Sequence, residues 1–302
     1  MDAPLSSIPA APPGRRPPPR LAFVIGSGGV RSAAALGAAG ALAEHGIRPD
    51  LIVGCSSGAL IGAPLALGVE PRAALAMAVK FWSNDLAQRR RWRAWLELAL
   101  PRLAGFGPDF SLRDARGIRQ AVEGAFGDVR LEDLPTPMRV AATDAASGMP
   151  LTLTSGPLAD AIRASLAVPF LFPSVPVAGR RLVDGVISDP LPVAAAADAG
   201  VLLTLALEGA MPRRVDRASR LAAQATTALI NNLQEARLAA MRARGARIVE
   251  LHLVLKRRVG LWETGALPEI FDAGWLAGER ALPQLRTLLQ PAASTTAHPR
   301  AA

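Results

Sequence analysis

Three side chains able to attack a carbonyl carbon stand together in the stretch Gly54-Cys55-Ser56-Ser57-Gly58. Only Ser56 lies at the centre of a G-x-S-x-G, a spacing with a mechanical cause. A nucleophile on a tight strand-to-helix turn takes a strained backbone conformation, and the residues two before and two after it pass too close to their surroundings for a side chain. Gly54 and Gly58 meet that requirement for Ser56, whereas Cys55 and Ser57 lie on the wrong sides of it. A helix starting after Ser56 would also aim its free N–H groups and positive dipole end at the site, favouring a developing oxyanion.

A serine nucleophile needs a base. The chain has three histidines: His45 beside Gly46 at an expected helix end, His252 in the strand-like VELHLVL, and His298 near the last residue. None is placed to serve, so the base is expected to be a carboxylate. RLVDGVISDPLPV, residues 181–193, supplies Asp184 at the end of an apolar run. Its reference pKa of about 3.9 suits a base poorly, but burial would raise it and a hydrogen bond from the serine would give it direction. Asp184-Gly185 also reads as an ordinary turn, and both roles stay open.

GSGGVRS, residues 26–32, is the third element. Read as a dinucleotide fingerprint it has Ser32 where the third glycine belongs, and Asp50 precedes the second strand instead of ending it. Read as an oxyanion hole, the backbone N–H groups of Gly28, Gly29 and their neighbours would sit beside Ser56 if the two strands are adjacent.

These residues need a frame. LAFVI (21–25) is a short apolar run ended by glycines, the mark of a strand covered on both faces. An alanine-rich stretch from Ala33 to His45 follows, stopped by Gly46 in a C-cap position, and LIV after Pro49 repeats the buried-strand pattern. Strand, glycine loop, helix, strand, sharp turn and helix in this order predict an α/β fold with a parallel sheet and helices on its faces. MRVAATDA (138–145), the stretch around 181–186 and VLLTLAL (201–207) are further strands; about 70–104 and 214–245 read as helical. Nineteen uncharged residues separate Asp50 from Glu70, but four glycines and Pro64 interrupt them, which suits a strand, turn and buried helix better than a membrane span.

The first 20 residues hold seven prolines and lack the apolar run of a secretory signal, so residues 1–20 are expected to form a disordered or polyproline-like arm. One domain over 21–288 and a flexible tail over 289–302 complete the division. A single cysteine excludes an intrachain disulfide and fits the cytoplasm. The net charge of +9 invites a polyanion, but only two of the 34 basic residues are lysine, there is no tyrosine, and no basic run is interleaved with aromatics. No nucleic-acid partner is expected, and without a Cys, His or carboxylate cluster neither is a metal or cofactor. In QRRRWRAWLELALPRL (88–103), Trp92, Trp95, Leu96, Ala99 and Leu100 share a helix face, with Arg90, Arg91, Arg93 and Glu97 elsewhere. That pattern fits a helix lying in an anionic bilayer surface, or equally one packed on the core with a solvated arginine face.

Together, residues 23–63, VAATDAASG (140–148) and residues 161–200 resemble the patatin-like phospholipase family, bacterial members included, over most of 21–207. The resemblance implies a three-layer α/β/α fold with a mostly parallel central sheet and a lipid acyl hydrolase using a Ser-Asp dyad without histidine. Ser56 would then be the nucleophile, Asp184 the base, and Gly28, Gly29, Val30 and Arg31 the oxyanion hole. It implies a lipid or other acyl-ester substrate and no cofactor; the cysteine count and the pattern of 88–103 add the expectation of a cytoplasmic protein, peripheral at the inner membrane surface if that helix lies in the bilayer. Ser27 and Ser32 replace glycines of the family loop, Val186 follows Asp-Gly where Gly or Ala is usual, and Asp189-Pro190-Leu191-Pro192 stands where Asn-Leu-Pro is frequent. Alternatives are an esterase or thioesterase on a neutral glyceride, thioester or polyester, a membrane-binding protein with a weakened site, and a nucleotide-binding protein.

Overall fold

The computed structural model describes residues 17–81, 91–104, 106–107, 110–212 and 214–290. Of the expected arm and tail, only 17–20 and 289–290 lie within it. Pro19 and Arg20 already belong to the fold, their carbonyls accepting from Gly200 N and Val201 N.

The strands are β1 (Leu21–Ile25), β2 (Leu51–Cys55), β3 (Met138–Asp144), β4 (Pro150–Leu153), β5 (Val175–Val177), β6 (Arg180–Asp184), β7 (Val201–Leu205) and β8 (Ile248–Glu250). They form one sheet along the path β5-β6-β3-β2-β1-β7-β8, with β4 also on β3. Pairings among β3, β2, β1, β7 and β8 are parallel, and those of β4, β5 and β6 antiparallel. β1, β2 and β7 are buried along their length, which is why they read as unbroken apolar runs.

Helices cover both faces. Leu21, Phe23 and Ile25 of β1 point into the larger core, shared with α1 (Ala34–Glu44), α2 (Ser57–Ala66), α3 (Pro71–Phe81) and, beyond α4 (Trp92–Ala99) and α5 (Pro101–Ala104), α6 (Arg116–Phe126) and α7 (Leu158–Ser165). Ala22 and Val24 face the opposite, thinner layer, built by the 3-10 turn at 193–196 and by Leu238 and Met241 of α8 (Ala218–Ala243). The last helix, α9 (Leu267–Leu289), returns to the first face. The architecture is therefore the expected three-layer α/β/α fold with a mostly parallel sheet. The uncharged run after Asp50 is β2 and α2, and among the described residues no helix is long and apolar enough to cross a membrane.

Small residues along α1 answer a packing demand. A Cβ on Gly37 would strike the Phe271 carbonyl of α9, and one on Gly274 would strike the Ala34 carbonyl of α1. The two helices thus meet backbone to backbone, and α1 is buried from Ala34 to Leu42. Gly37→Ala and Gly274→Ala are each expected to lower the unfolding free energy by about 1–3 kcal/mol or more, read from urea titrations, because neither backbone can withdraw.

Candidate active site

The turn after β2 separates the three nucleophile candidates. Ser56 sits at φ 55, ψ −123, a left-handed conformation rare for a residue with a side chain, ahead of the first turn of α2. Such strain costs on the order of 1–3 kcal/mol and must be held by its surroundings. The two flanking glycines make room for it. A Cβ on Gly54 would overlap the backbone at Gly58 and Ala59, and one on Gly58 would strike the carbonyl of Ile25 at the end of β1.

Cys55 is the last residue of β2 and is fully buried; burial, then the nearby charges of Asp184 and Asp189, hold its thiol well above the usual range and so protonated. Ser57 is also committed. Its Oγ accepts from Gly28 N at 3.0 Å and lies 2.8 Å from Ser32 Oγ, while Ser32 Oγ donates to Gly26 O at 3.2 Å. Each hydroxyl has one proton, so Ser57 must donate to Ser32. Only Ser56 faces a base: its Oγ donates to Asp184 Oδ2 at 2.7 Å.

Strand register brings these two together across 128 positions. Ala142 of β3 pairs with Leu151 of β4 on one edge and with Asp184 of β6 on the other. Ala141 pairs with Thr152 of β4 and with Cys55 of β2, so β2 and β6 share one edge of β3. Ser56 leaves β2 where β6 ends at Asp184. Ser165, at the end of α7, closes the joint by accepting from Ser56 N at 2.7 Å and donating to Ala141 O at 2.6 Å.

Asp184 has no exposed surface. Its Oδ1 accepts from Val186 N at 2.8 Å, capping the 3-10 turn at 185–187, so the turn contact and the serine contact use different oxygens of one carboxylate. Burial raises its pKa to about 7, partly opposed by the hydrogen bonds from Ser56 and Val186. Behind it, Thr143 Oγ1 donates to Asp184 O and lies 2.7 Å from Ser188 Oγ. Arg237 of α8 donates to Ser188 O, and its Nε lies 3.5 Å from Asp189, whose pKa burial lifts to about 6 against the pull of Arg237.

The glycine loop lies beside Ser56, and two of the amides in the stretch Gly28–Arg31 are engaged within the protein. Gly28 N is engaged by Ser57 and Val30 N by Leu261 O; Gly26 N and Ser27 N are held by Leu205 O and Pro190 O. A row of amides so occupied leaves little for a pyrophosphate, which disfavours the dinucleotide reading. Gly29, at φ 62, has an amide without a partner among the described residues, and a Cβ there would strike Leu261 O. Arg31, which lines the same cavity as Ser56, braces the loop by donating to Gly28 O and Glu208 O.

Ser56, Asp184 and the loop open on a cavity of about 280 Å³. Leu60, Phe81, Ile118, Val122, Leu171 and Phe172 line one side, and Leu207, Ile230, Leu261 and Trp262 another. Val186, one of the departures from the family pattern, lines it too. His45 is the exposed C-cap of α1, 3.5 Å from Glu279, and His252 is exposed just beyond β8, so neither lines the cavity; His298 lies outside the described residues. Among the described residues no group of His, Cys, Asp and Glu could hold a metal ion.

An α/β protein with a strained serine at the end of a central strand and a buried aspartate against it is the class this geometry defines. The chain belongs to the patatin-like phospholipase family, whose model matches residues 23–197. An uncharacterized NTE family protein of Mycobacterium tuberculosis is 38% identical over 189 residues, 63% of this chain and 49% of that one. Patatin-like phospholipase domain-containing protein 7 of Rattus norvegicus is 30% identical over 192 residues, 62% of this chain and 13% of that one. The chain thus spans about half the length of the mycobacterial relative. VipD from Legionella pneumophila aligns with 89% of this chain and 67% of its own at a TM-score of 0.48 and 14% identity.

Ser165, Thr143 and Ser188 went unremarked in the sequence because small hydroxyl residues give no signal until their partners are known. Ser165→Ala would leave Ser56 N and Ala141 O unpaired in the interior. It is expected to lower the unfolding free energy by about 1–3 kcal/mol in urea titrations. An unchanged midpoint would mean that the elbow holds its geometry without this hydroxyl.

Proposed function

We propose that the chain is a serine acyl hydrolase that cleaves fatty-acyl esters of phospholipids or related lipids through Ser56 and Asp184. The observation that carries this reading is the 2.7 Å hydrogen bond from a strained Ser56 to a fully buried Asp184 at an apolar cavity. Family membership supports a lipid ester as substrate.

Ionised Asp184 takes the Ser56 proton as Oγ attacks the ester carbonyl carbon, and the carbonyl electron pair moves onto oxygen. The Gly29 N–H, at the side of the elbow facing the loop, serves that oxyanion, while Gly28, Val30 and Arg31 hold the loop in place. Collapse breaks the ester C–O bond, and the alcohol or lysolipid leaves with the proton from Asp184. Water then gives a proton to Asp184 and attacks the acyl-serine, and Ser56 departs as the hydroxyl with release of the fatty acid. The cavity walls would take the acyl chain. Nothing in this sequence of steps calls for a metal.

A fluorophosphonate probe is expected to label Ser56, with labelling lost in Ser56→Ala and turnover reduced about 10²–10⁴-fold in Asp184→Asn. Absence of label on folded wild type would defeat the reading and favour the weakened membrane-binding alternative. Because the base must be ionised, kcat/KM on a soluble ester should rise with pH and level off above about 7.

Stability should move the other way. The folded pKa of Asp184 lies above the unfolded value of about 3.9, so its contribution is complete below that value and is lost as pH rises through about 7. Asp184→Asn escapes the loss and is expected to gain on wild type by on the order of 2 kcal/mol between pH 5 and pH 8 in urea unfolding.

A further inference from the structure

Phe170 breaks a steric rule: it is held at φ 66, where bulky residues are outliers, and its ring is 65% exposed. Its carbonyl accepts from Leu112 N at 2.7 Å, and the segment bridges Ser111, so the conformation is enforced. Strain kept in place by its neighbours is a reason to look for use. Leu171 and Phe172, the next two residues, line the cavity, which puts Phe170 at its rim.

Other apolar groups join it. Phe110 meets Phe170 edge-on with centroids 6.5 Å apart, and Phe106, itself 45% exposed, lies 4.8 Å from Phe110. Leu261 and Trp262 also line the cavity and remain about half exposed, with the Arg113 guanidinium 5.8 Å over the Trp262 ring. Arg91 N donates to Leu112 O, so α4 starts beside the same segment. On α4, Ala94 and Glu97 are buried, Glu97 paired with Arg91 at 3.0 Å, whereas Trp95, Leu96 and Leu98 are exposed, as are Leu100 at its C-cap and Leu103 of α5. The sequence had pointed to 88–103 alone; residues 88–90 and the Trp92 side chain lie outside what is described, and Trp95, Leu96 and Leu100 of the face it singled out are exposed.

Beside this surface runs a groove lined by Arg91, Arg113, Arg116, Arg119 and Arg163 together with Asp114. Arg116 pairs with Asp114 at 2.7 Å and Arg163 with Asp160 at 3.0 Å, so that the arginines still outnumber the lining carboxylate. Helix α6 joins groove and cavity: Ile118, Ala121 and Val122 line the cavity, Arg116 and Arg119 the groove. Residues 91–119 carry six arginines and three carboxylates.

We propose that the cavity rim is a docking surface for an anionic phospholipid bilayer. Phe106, Phe170 and the outward side chains of α4 and α5 enter the interface, and the arginines of the groove lie at the level of the lipid phosphates. The proposal rests on the acyl-hydrolase reading and gives it a partner. An exposed apolar face by itself fits many partners; excess arginine beside it, around the mouth of an apolar cavity, selects a lipid surface of negative charge.

The test is flotation of full-length Ser56→Ala protein with vesicles of phosphatidylcholine, or of phosphatidylcholine with 30 mol% phosphatidylglycerol (roughly one anionic lipid in three). Binding is expected to the anionic vesicles, weakening as salt is raised. In the same background, Phe170→Ser with Leu103→Ser, and separately Arg116→Glu with Arg119→Glu, should each weaken it on the order of tenfold or more. Introduced into otherwise wild-type protein, both pairs should leave hydrolysis of a soluble short-chain ester within about twofold, which separates docking from folding and chemistry. Equal binding by the variants, equal binding to both vesicle types, or binding to neither overturns the docking surface. Vesicle binding by a protein that hydrolyses no ester would instead overturn the hydrolase reading and leave the surface standing.

Discussion

Much of the molecule is arranged around keeping one carboxylate out of water and within 2.7 Å of one hydroxyl. An isolated buried aspartate is costly, and here the cost is limited by a hydrogen bond from Ser56 to one oxygen and from Val186 N to the other. The remaining penalty appears as a pKa near 7. A carboxylate so tuned is half ionised near neutrality and basic enough to take a serine proton, which a solvated aspartate is not. The same apolar surroundings that raise the pKa exclude water from the cavity wall where an acyl chain would lie.

Three elements distant in the chain meet to produce this. β2 delivers Ser56, β6 delivers Asp184 along the same edge of β3, and α7 delivers Ser165 to bind both the elbow amide and β3. Parallel pairing makes the meeting point general to the sheet, since the carboxyl ends of parallel strands lie together. The antiparallel entry of β6 is the local exception that turns Asp184 back toward that end.

The serine at position 32 shows how a departure from a family pattern can be structurally satisfied. With Ser57 it forms a hydroxyl pair that holds Gly28 N and Gly26 O, so the loop is stiffened by side chains. A loop held in this way offers few amides to a large anion and leaves the Gly29 amide without a partner among the described residues. Arg31 adds a second brace, a part that a guanidinium can play through two backbone carbonyls at once.

Local patterns determined a good deal of this by themselves. Buried parallel strands leave unbroken apolar runs, so β1, β2 and β7 were legible, and Gly54 and Gly58 marked Ser56 because only glycine fits beside so tight a turn. Asp184 was legible as a candidate by elimination and by resemblance, but its two readings had no local resolution. Tertiary structure decided the rest. The register of β3 against β2 and β6 sets the Ser56–Asp184 distance, the pairing of Ser32 with Ser57 closes the Gly28 amide and Leu261 O that of Val30, and Phe170 is left exposed beside the cavity-lining Leu171 and Phe172. None of these is written in any one segment, because each depends on which hydrogen-bonding groups meet after distant strands and helices have packed.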